Sequence, residues 1–400
     1  MNSNLRIDIL PNCVYLEEDG TFNKEKAYKL SGKIAGECYS KEGFKDLLLE
    51  SDEKSLKRSD NTLNMAHFHV YDHTFISFDL QNIPKMLAMV INNEKLFATC
   101  EKSARYTSVE RKSNPVITPL EEELYNKWLE IFKVKIKSRY GHIHDDKKIQ
   151  KLAQENARYL VTVFMPTQMI YTTSLRQINN LARWMNDYIK NIDIFNTFEV
   201  KLAHFMQDFV NELDRLQVLE DRLMINDKNR SLSLFGKNLT KDEEIYTDVY
   251  STLYTGSLAQ LAQAHRHRTI HYQMEFLENP TYFVPPIIED DNLLVEEWLS
   301  DLYLVEGVIP QGLMVNIREK GEYENFILKC KERLCSEAQL EIMLQTRATL
   351  LKYKETLEST KHYLASDIVN YSHGARCTFN DYNCLKSCKF NEGITLTRKI

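Results

Sequence analysis

Residues Asn226–Asp242, reading NDKNRSLSLFGKNLTKD, are polar and carry neither a helical nor a strand period. They divide a 400-residue chain into two parts that repeat one grammar, a strand-like run followed at once by a helical one. The first part opens with a short strand, Leu5–Leu10, in which Arg6 and Asp8 alternate with Ile7 and Ile9. A second alternating run, Phe68–Leu80, is rich in aromatic and β-branched residues and predicts a strand. Pro84 then opens an amphipathic segment, Lys85–Val90, as proline at a first helical turn does. Helical patterns follow over Pro119–Lys137, Lys147–Phe164 (ended by Pro166), Leu175–Ile192 and Thr197–Leu223. The second part has a strand-like Tyr246–Tyr254, a helical Leu258–His265 and a break at Pro285-Pro286. Helices are predicted over Val295–Leu304, Tyr323–Leu334 and Ser336–Leu357. The expected class is α+β with helices dominant. The expected divisions are 1–225, a linker at 226–242, 243–360, and a cysteine-bearing tail at 361–400.

Apolar residues make up 43% and charged residues 27%, the balance of a soluble globular protein. A net charge of −6 gives no general reason to expect nucleic acid or an anionic membrane as partner. No window approaches the roughly 20 apolar residues that a membrane helix needs. The start, MNSNLRIDILPN, lacks the basic-then-apolar pattern of a secretion signal. Cys13, Cys38 and Cys100 are scattered singly, which suits free thiols of a reducing, cytoplasmic compartment. Five further cysteines lie between residues 330 and 388. Among them Cys377, Cys384 and Cys388, with His373, could close a zinc site, form a redox pair or remain ordinary thiols.

The densest cationic cluster is Gln263, Arg266, His267 and Arg268 within QAHRHRTIH. Three consecutive basic groups cannot share one helix face, because neighbours diverge by about 100°. The cluster therefore fits a helix end or turn, where side chains can surround an anion and two guanidinium forks can hold phosphate or a carbonyl edge. A solvated basic turn is the plain alternative.

This string resembles the first part of the RHRxxSxNExSxRY signature of the flavin-dependent thymidylate synthases, including the glutamine three positions before the first arginine. The second part of that signature is absent here. His271, Gln273, Met274, Phe276, Glu278 and Asn279 stand where the family has Ser, Asn, Glu, Ser, Arg and Tyr. The missing part is found earlier, where Cys100-Glu101-Lys102-Ser103-Ala104-Arg105-Tyr106 is similar to N-E-x-S-x-R-Y. There it is RHR that is lost, since Asn93-Glu94-Lys95 occupy its place counting from Pro84. Upstream, His67–His73 with Thr74–Phe78 is similar to the family's H-x-S-x-x-E-H strand. Glu155–Arg158 and Ser174–Asn180 resemble its E-x-A-R and S-L-x-N helices, with Gln168 where a phosphate-binding arginine is usual. Phe198-Glu199-Val200-Lys201 resembles W-E-I-R, and Ser336–Ile342 resembles S-H-A-Q-W-E-I with Met343 replacing the arginine.

The losses are complementary, and the family offers a reason. Its members are homotetramers whose sites lie between subunits, so two fused copies need each motif only once. The resemblance thus implies a tandem duplication of two thymidylate synthase-like halves, helix-rich, each with an antiparallel or mixed sheet. A homodimer would rebuild a pseudo-tetramer. It implies FAD as cofactor, dUMP as substrate, and methylenetetrahydrofolate and NADPH as co-substrates in reductive methylation. By the same resemblance, His73, Thr74, Arg266, His267 and Arg268 face the flavin. Gln263, Arg266, Ser103, Ala104, Arg105 and Lys201 face the nucleotide, and Arg266, Glu101 and Lys201 act in catalysis. Hydroxymethylation of the same nucleotide, or a flavin- and nucleotide-binding assembly protein without turnover, are the alternatives.

Overall fold

A computed structural model describes residues 4–41, 43–102, 109–112, 114–225, 229–385 and 388–400. In chain order its elements are β1 (Arg6–Ile9), α1 (Lys24–Gly36), α2 (Phe44–Leu48), α3 (Asp52–Asn64), β2 (Phe75–Pro84), α4 (Lys85–Asn93) and β3 (Ala98–Glu101). Then come α5 (Pro119–Tyr140), α6 (Asp146–Ala157), β4 (Pro166–Ser174), α7 (Leu175–Lys190) and α8 (Thr197–Arg215). The remainder is β5 (Ile245–Tyr246), β6 (Val249–Ser257), α9 (Leu258–Ala264), β7 (His271–Phe276), α10 (Asn292–Leu304), β8 (Met314–Glu322), α11 (Tyr323–Arg333), α12 (Leu340–Ser359), α13 (Ala365–Ile368) and α14 (Asn391–Ile394). Among the described residues no helix is long and apolar enough to cross a membrane.

Two compact units result. One holds residues 1–103 and 166–232, the other residues 104–165 and 233–400. Each carries an antiparallel four-stranded sheet with helices, the α+β class in two parts. The strand orders are β1-β2-β4-β3 and β5-β6-β8-β7, the same succession. The registers agree as well. Phe75 at the start of β2 pairs with Ser174, which caps α7; Val249 at the start of β6 pairs with Glu322, which caps α11. Pro84 and Ser257, the caps of α4 and α9, lie 173 residues apart, and so do Ala98 and His271, which open β3 and β7. Before this stretch the offset is 174. The extra residue of β2 is absorbed by a bulge between Leu80 and Ile83, where Asn82 takes a left-handed φ of 54°.

Several local expectations are corrected. Residues Phe68–His73 form a 3-10 turn, and the strand begins only at Phe75. Packing decides this: Val70 and Tyr71 are buried while His69 and His73 face water, a spacing the alternating composition masks. The helix read over 147–164 stops at Ala157, and Pro166–Ser174 is a strand rather than a helix-to-helix link. Pro166 sits at the strand's first position, where its missing N–H costs no ladder bond. The helix read to Leu223 ends at Arg215.

The core of the second unit gathers α5, α6 and α10. Trp128 and Trp298 meet edge to face with centroids 4.8 Å apart, and the buried Trp128 indole N–H donates to Asp301 at 2.6 Å. Residues 233–242 belong to this unit. Leu234 and Leu239 are buried, and the backbone N–H of Met274 donates to the Leu234 carbonyl at 2.7 Å. The buried Arg318 guanidinium donates to the carbonyls of Leu239, Asp242 and Glu243. Just beyond, Glu244 accepts from the Thr252 hydroxyl at 2.8 Å, the Leu253 N–H at 3.0 Å and the Tyr246 phenol at 3.0 Å, and it pairs with Lys352.

Burial alone would raise the Glu244 carboxyl, but Lys352 and these donors outweigh it and bring its pKa down to about 2. A depressed carboxylate stabilises the fold above its ordinary pKa and loses that effect as pH falls. Glu244→Gln is therefore expected to cost about 2 kcal/mol at pH 7. The deficit should shrink as pH falls from 4.5 towards 2, read as converging melting temperatures of variant and parent.

Candidate active site

The turn that carries the cationic cluster is set by the start of α9. Ser257 caps this helix, its hydroxyl oxygen accepting from the Gln260 N–H at 3.0 Å. The backbone N–H and hydroxyl of Ser257 both donate to the Glu341 carboxylate, at 2.7 and 2.6 Å, and the Tyr159 phenol donates to it at 2.9 Å. Glu341 is buried, which pushes its pKa up, against the pull of the Ser257 and Tyr159 donors. The helix it supports is only seven residues long and ends at Ala264. Arg266, His267 and Arg268 then form the turn into β7, as the sequence spacing requires.

Within this turn the side chains divide. Gln263 and Arg266 are half-exposed, Arg268 is exposed and His267 is buried. Among the described residues the Arg266 guanidinium has no hydrogen-bond or ion-pair partner, so its donors are available to an anion. That chemistry fits the phosphate groups of a dinucleotide or mononucleotide. His267 turns inward to the end of α11. Its Nε2 accepts from Arg333 Nε at 2.7 Å, and its Nδ1 stands 3.6 Å from Glu332. An accepting Nε2 places the ring proton on Nδ1. Burial first, and then the charges of Arg333, Lys329 and Arg266, push the imidazole well below its ordinary pKa. His267 is thus a neutral ring that ties the turn to α11.

The equivalent turn of the first unit has other chemistry. Asn93, Glu94 and Lys95 stand nine to eleven residues after the cap Pro84, as Arg266 to Arg268 stand after Ser257. Glu94, at the position of His267, is fully buried and accepts from Arg230 at 2.5 Å. The Arg230 guanidinium lies 4.1 Å above the Trp184 ring. Lys95 is half-buried, and desolvation, opposed by Glu94, brings its amine down to about 8. Pro84 has no N–H to give, and in this unit Glu199, the counterpart of Glu341, instead accepts from the Asp193 N–H at 2.8 Å at the head of α8.

The first unit also holds the remaining candidates. Glu101 ends β3 and forms an ion pair with Lys85 at the start of α4, both side chains buried. Thr74 is buried, its hydroxyl 3.4 Å from that of Ser31, and His73 is exposed on the 3-10 turn. Beside them Asp72 accepts from Ser174 at 2.9 Å and pairs with Arg176 at 2.8 Å. Lys201 is half-exposed on α8, and Gln168 is exposed on β4. Ser103, Ala104 and Arg105, with Tyr106, lie outside the described residues. Sequence reasoning missed Lys85, Arg333 and Glu341 as supports. Ser257 before an apolar run was the one available signal, since it marks a helix cap whose own N–H must find an acceptor.

A group whose folded pKa lies below its unfolded value stabilises above that value and ceases to do so as pH falls. The His267 ring should therefore show no titration in NMR spectra between pH 8 and 6. Arg333→Ala should move its midpoint upward by removing a neighbouring charge. A wild-type ring that titrates with an ordinary midpoint would contradict the inward placement.

No curated protein matches the chain significantly. Residues 23–206 match the family model described as thymidylate synthase complementing protein, a stretch that includes β2, β3, β4 and the motif from Cys100 to Tyr106. Through these residues, a little under half of its length, the chain is similar to the family of flavin-dependent thymidylate synthases.

Proposed function

We propose that this chain is a tandemly duplicated flavin-dependent thymidylate synthase that converts dUMP to dTMP with methylenetetrahydrofolate and NADPH. The observation that carries the reading is the shared strand order of the two units and the 173-residue offset kept from Pro84/Ser257 to Ala98/His271, joined to complementary motif loss. At one and the same place in the fold, the second unit has Arg266-His267-Arg268 and the first has Asn93-Glu94-Lys95. The first unit alone has the E-x-S-x-R-Y string. Drift of a redundant copy explains why each motif survives once. In this reading one site draws on both sets of residues, and a homodimer provides the arrangement that four subunits provide elsewhere in the family. The scattered free thiols Cys13, Cys38 and Cys100 support a reducing, cytoplasmic setting.

The residues have definite tasks in such a site. Arg266 and Arg268 would hold the flavin, with Arg266 and Gln263 reaching the nucleotide as well, while His267 keeps the turn in place against Arg333. Thr74 and His73 belong with the flavin-facing strand and the turn before it. Ser103, Arg105 and the Ala104 N–H would hold the dUMP phosphate by charge-assisted hydrogen bonds. Glu101, paired with Lys85, would accept from ligand N–H groups, and Lys201 would add positive charge near the pyrimidine. FAD, when bound and reduced, supplies the hydride of the reductive step. The chain's arginines polarise the uracil carbonyls and so raise the electrophilicity of the ring. No cysteine nucleophile is required, so Cys100 need not be catalytic.

A second reading, deoxyuridylate modification with another product such as hydroxymethylation, is favoured by Gln168, an exposed neutral residue at the usual place of an arginine. Mass analysis of the product separates the two. A flavin- and nucleotide-binding assembly protein would bind both ligands and release no tritium from C5-labelled dUMP.

The purified protein should carry a flavin spectrum that dUMP perturbs, and should release tritium from C5-labelled dUMP when folate and NADPH are present. Arg105→Ala and Arg266→Ala should each weaken dUMP binding by about 100-fold, the scale of a lost charged contact. Glu278→Ala, in the decayed copy, should leave binding unchanged. Undiminished affinity in either arginine variant would refute the shared site.

A further inference from the structure

The tail after α12 contributes little regular structure, only the four-residue helices α13 and α14 and short 3-10 turns. Ile368, Tyr371, Phe379 and Leu396 of the tail are buried in the apolar cluster with α11 and α12, and polar contacts add to this attachment. The Arg376 N–H donates to the Leu334 carbonyl at 2.7 Å, and its guanidinium donates to the Lys331 carbonyl at 3.1 Å, so residue 376 is fastened to the end of α11. Arg398, buried, donates to the Ala338 carbonyl at 2.6 Å. Gly374 and Ala375 run against Ile394. The Ala375 N–H donates to the Ile394 carbonyl at 2.7 Å, and a Cβ on Gly374 would stand 2.7 Å from that same oxygen.

These attachments bring four cysteines to the wall of one cavity of about 480 Å³: Cys335 just after α11, and Cys377, Cys384 and Cys388 from the tail. His373, grouped with the tail thiols on sequence grounds, is not on that wall, and Cys335, some forty residues earlier, takes its place. The fifth cysteine of this region, Cys330, is fully buried in the apolar cluster and stands apart. Arg376, Tyr382 and Glu337 are also on the wall, the Arg376 guanidinium 4.9 Å over the Tyr382 ring. Cys335, Cys377 and Cys388 are free thiols. Among the described residues no three potential ligands already stand as a metal site, so a bound ion would draw the sulfurs inward. Cys384 and Cys388 lie on irregular backbone, which permits that movement.

We propose that Cys335, Cys377, Cys384 and Cys388 bind one structural Zn²⁺ as a tetrahedral tetrathiolate that fastens the tail to the end of α11. Four convergent soft ligands select zinc over magnesium or calcium, and a closed set of four cysteines is a form that structural zinc takes. A disulfide would use two of the sulfurs and leave two. Cys335 follows by two residues the Arg333 that holds His267, so the metal would also steady the helix end on which the Arg266–Arg268 turn rests.

The test uses the full chain, purified with reductant and without chelator. Elemental analysis should find about one zinc per chain, and replacement by Co²⁺ should give the intense thiolate-to-cobalt absorption of a tetrathiolate site. Cys384→Ser and Cys388→Ser should lower zinc content at least several-fold, while Cys38→Ser should not. Stripping the metal should speed amide exchange in residues 333–338 and 372–384. Zinc below a tenth of an equivalent with no cobalt band overturns the proposal. So does iron with acid-labile sulfide in place of zinc, or a disulfide found by titrating thiols in the unfolded chain. If the serine variants do not fold, the cobalt spectrum and metal content of the unaltered chain still decide.

Discussion

The Glu341 carboxylate, buried and accepting from the N–H and hydroxyl of Ser257, is the contact on which the cationic turn depends. A helix start leaves donors that must find partners away from water. Ser257 resolves this in both directions, its oxygen taking the Gln260 N–H and its own donors going to Glu341. Because α9 is so short, the cap and the turn are one rigid piece. Arg266 therefore leaves the sheet at a place dictated by a residue on α12 and by Tyr159 beyond α6.

In the first unit the same junction is made without that carboxylate. Proline has no donor to satisfy, and the segment that follows ends in the buried Glu94 rather than a histidine. The two turns also recruit different arginines, Arg230 for Glu94 and Arg333 for His267. In each case a buried central residue is held by a guanidinium, while the flanking positions differ in charge. The scaffold has been kept and the chemistry changed. One turn presents donors to solvent, and the other presents a half-buried lysine after the buried Asn93 and Glu94.

Much of this was legible in the chain itself. The family motifs announce themselves in Q-x-x-R-H-R and E-x-S-x-R-Y, and the ungapped count from Pro84 to Asn93 anticipates the register that the sheets display. Strand β4 was not legible. PTQMIYTTS opens with proline and follows an apolar run, Tyr159–Met165, that reads as the end of a helix. What makes it a strand is pairing with β2 on one side and β3 on the other, contacts distant in sequence. The 3-10 turn at Phe68–His73 was hidden for a similar reason. Its aromatic and β-branched residues suit a strand, and only the burial of Val70 and Tyr71 selects the tighter form.

Sequence alone determined the helix caps, the breaks at proline, the family resemblance and the place of the cationic cluster at a helix end, because these follow from local chemistry and spacing. Tertiary structure decided which of those residues face outward. It turned His267 inward and left Arg266 available, tied Glu101 to Lys85, and set Cys335 beside three cysteines of the tail. The reason is that exposure, ion pairing and the convergence of distant thiols depend on contacts between segments far apart in the chain, and no local pattern encodes them.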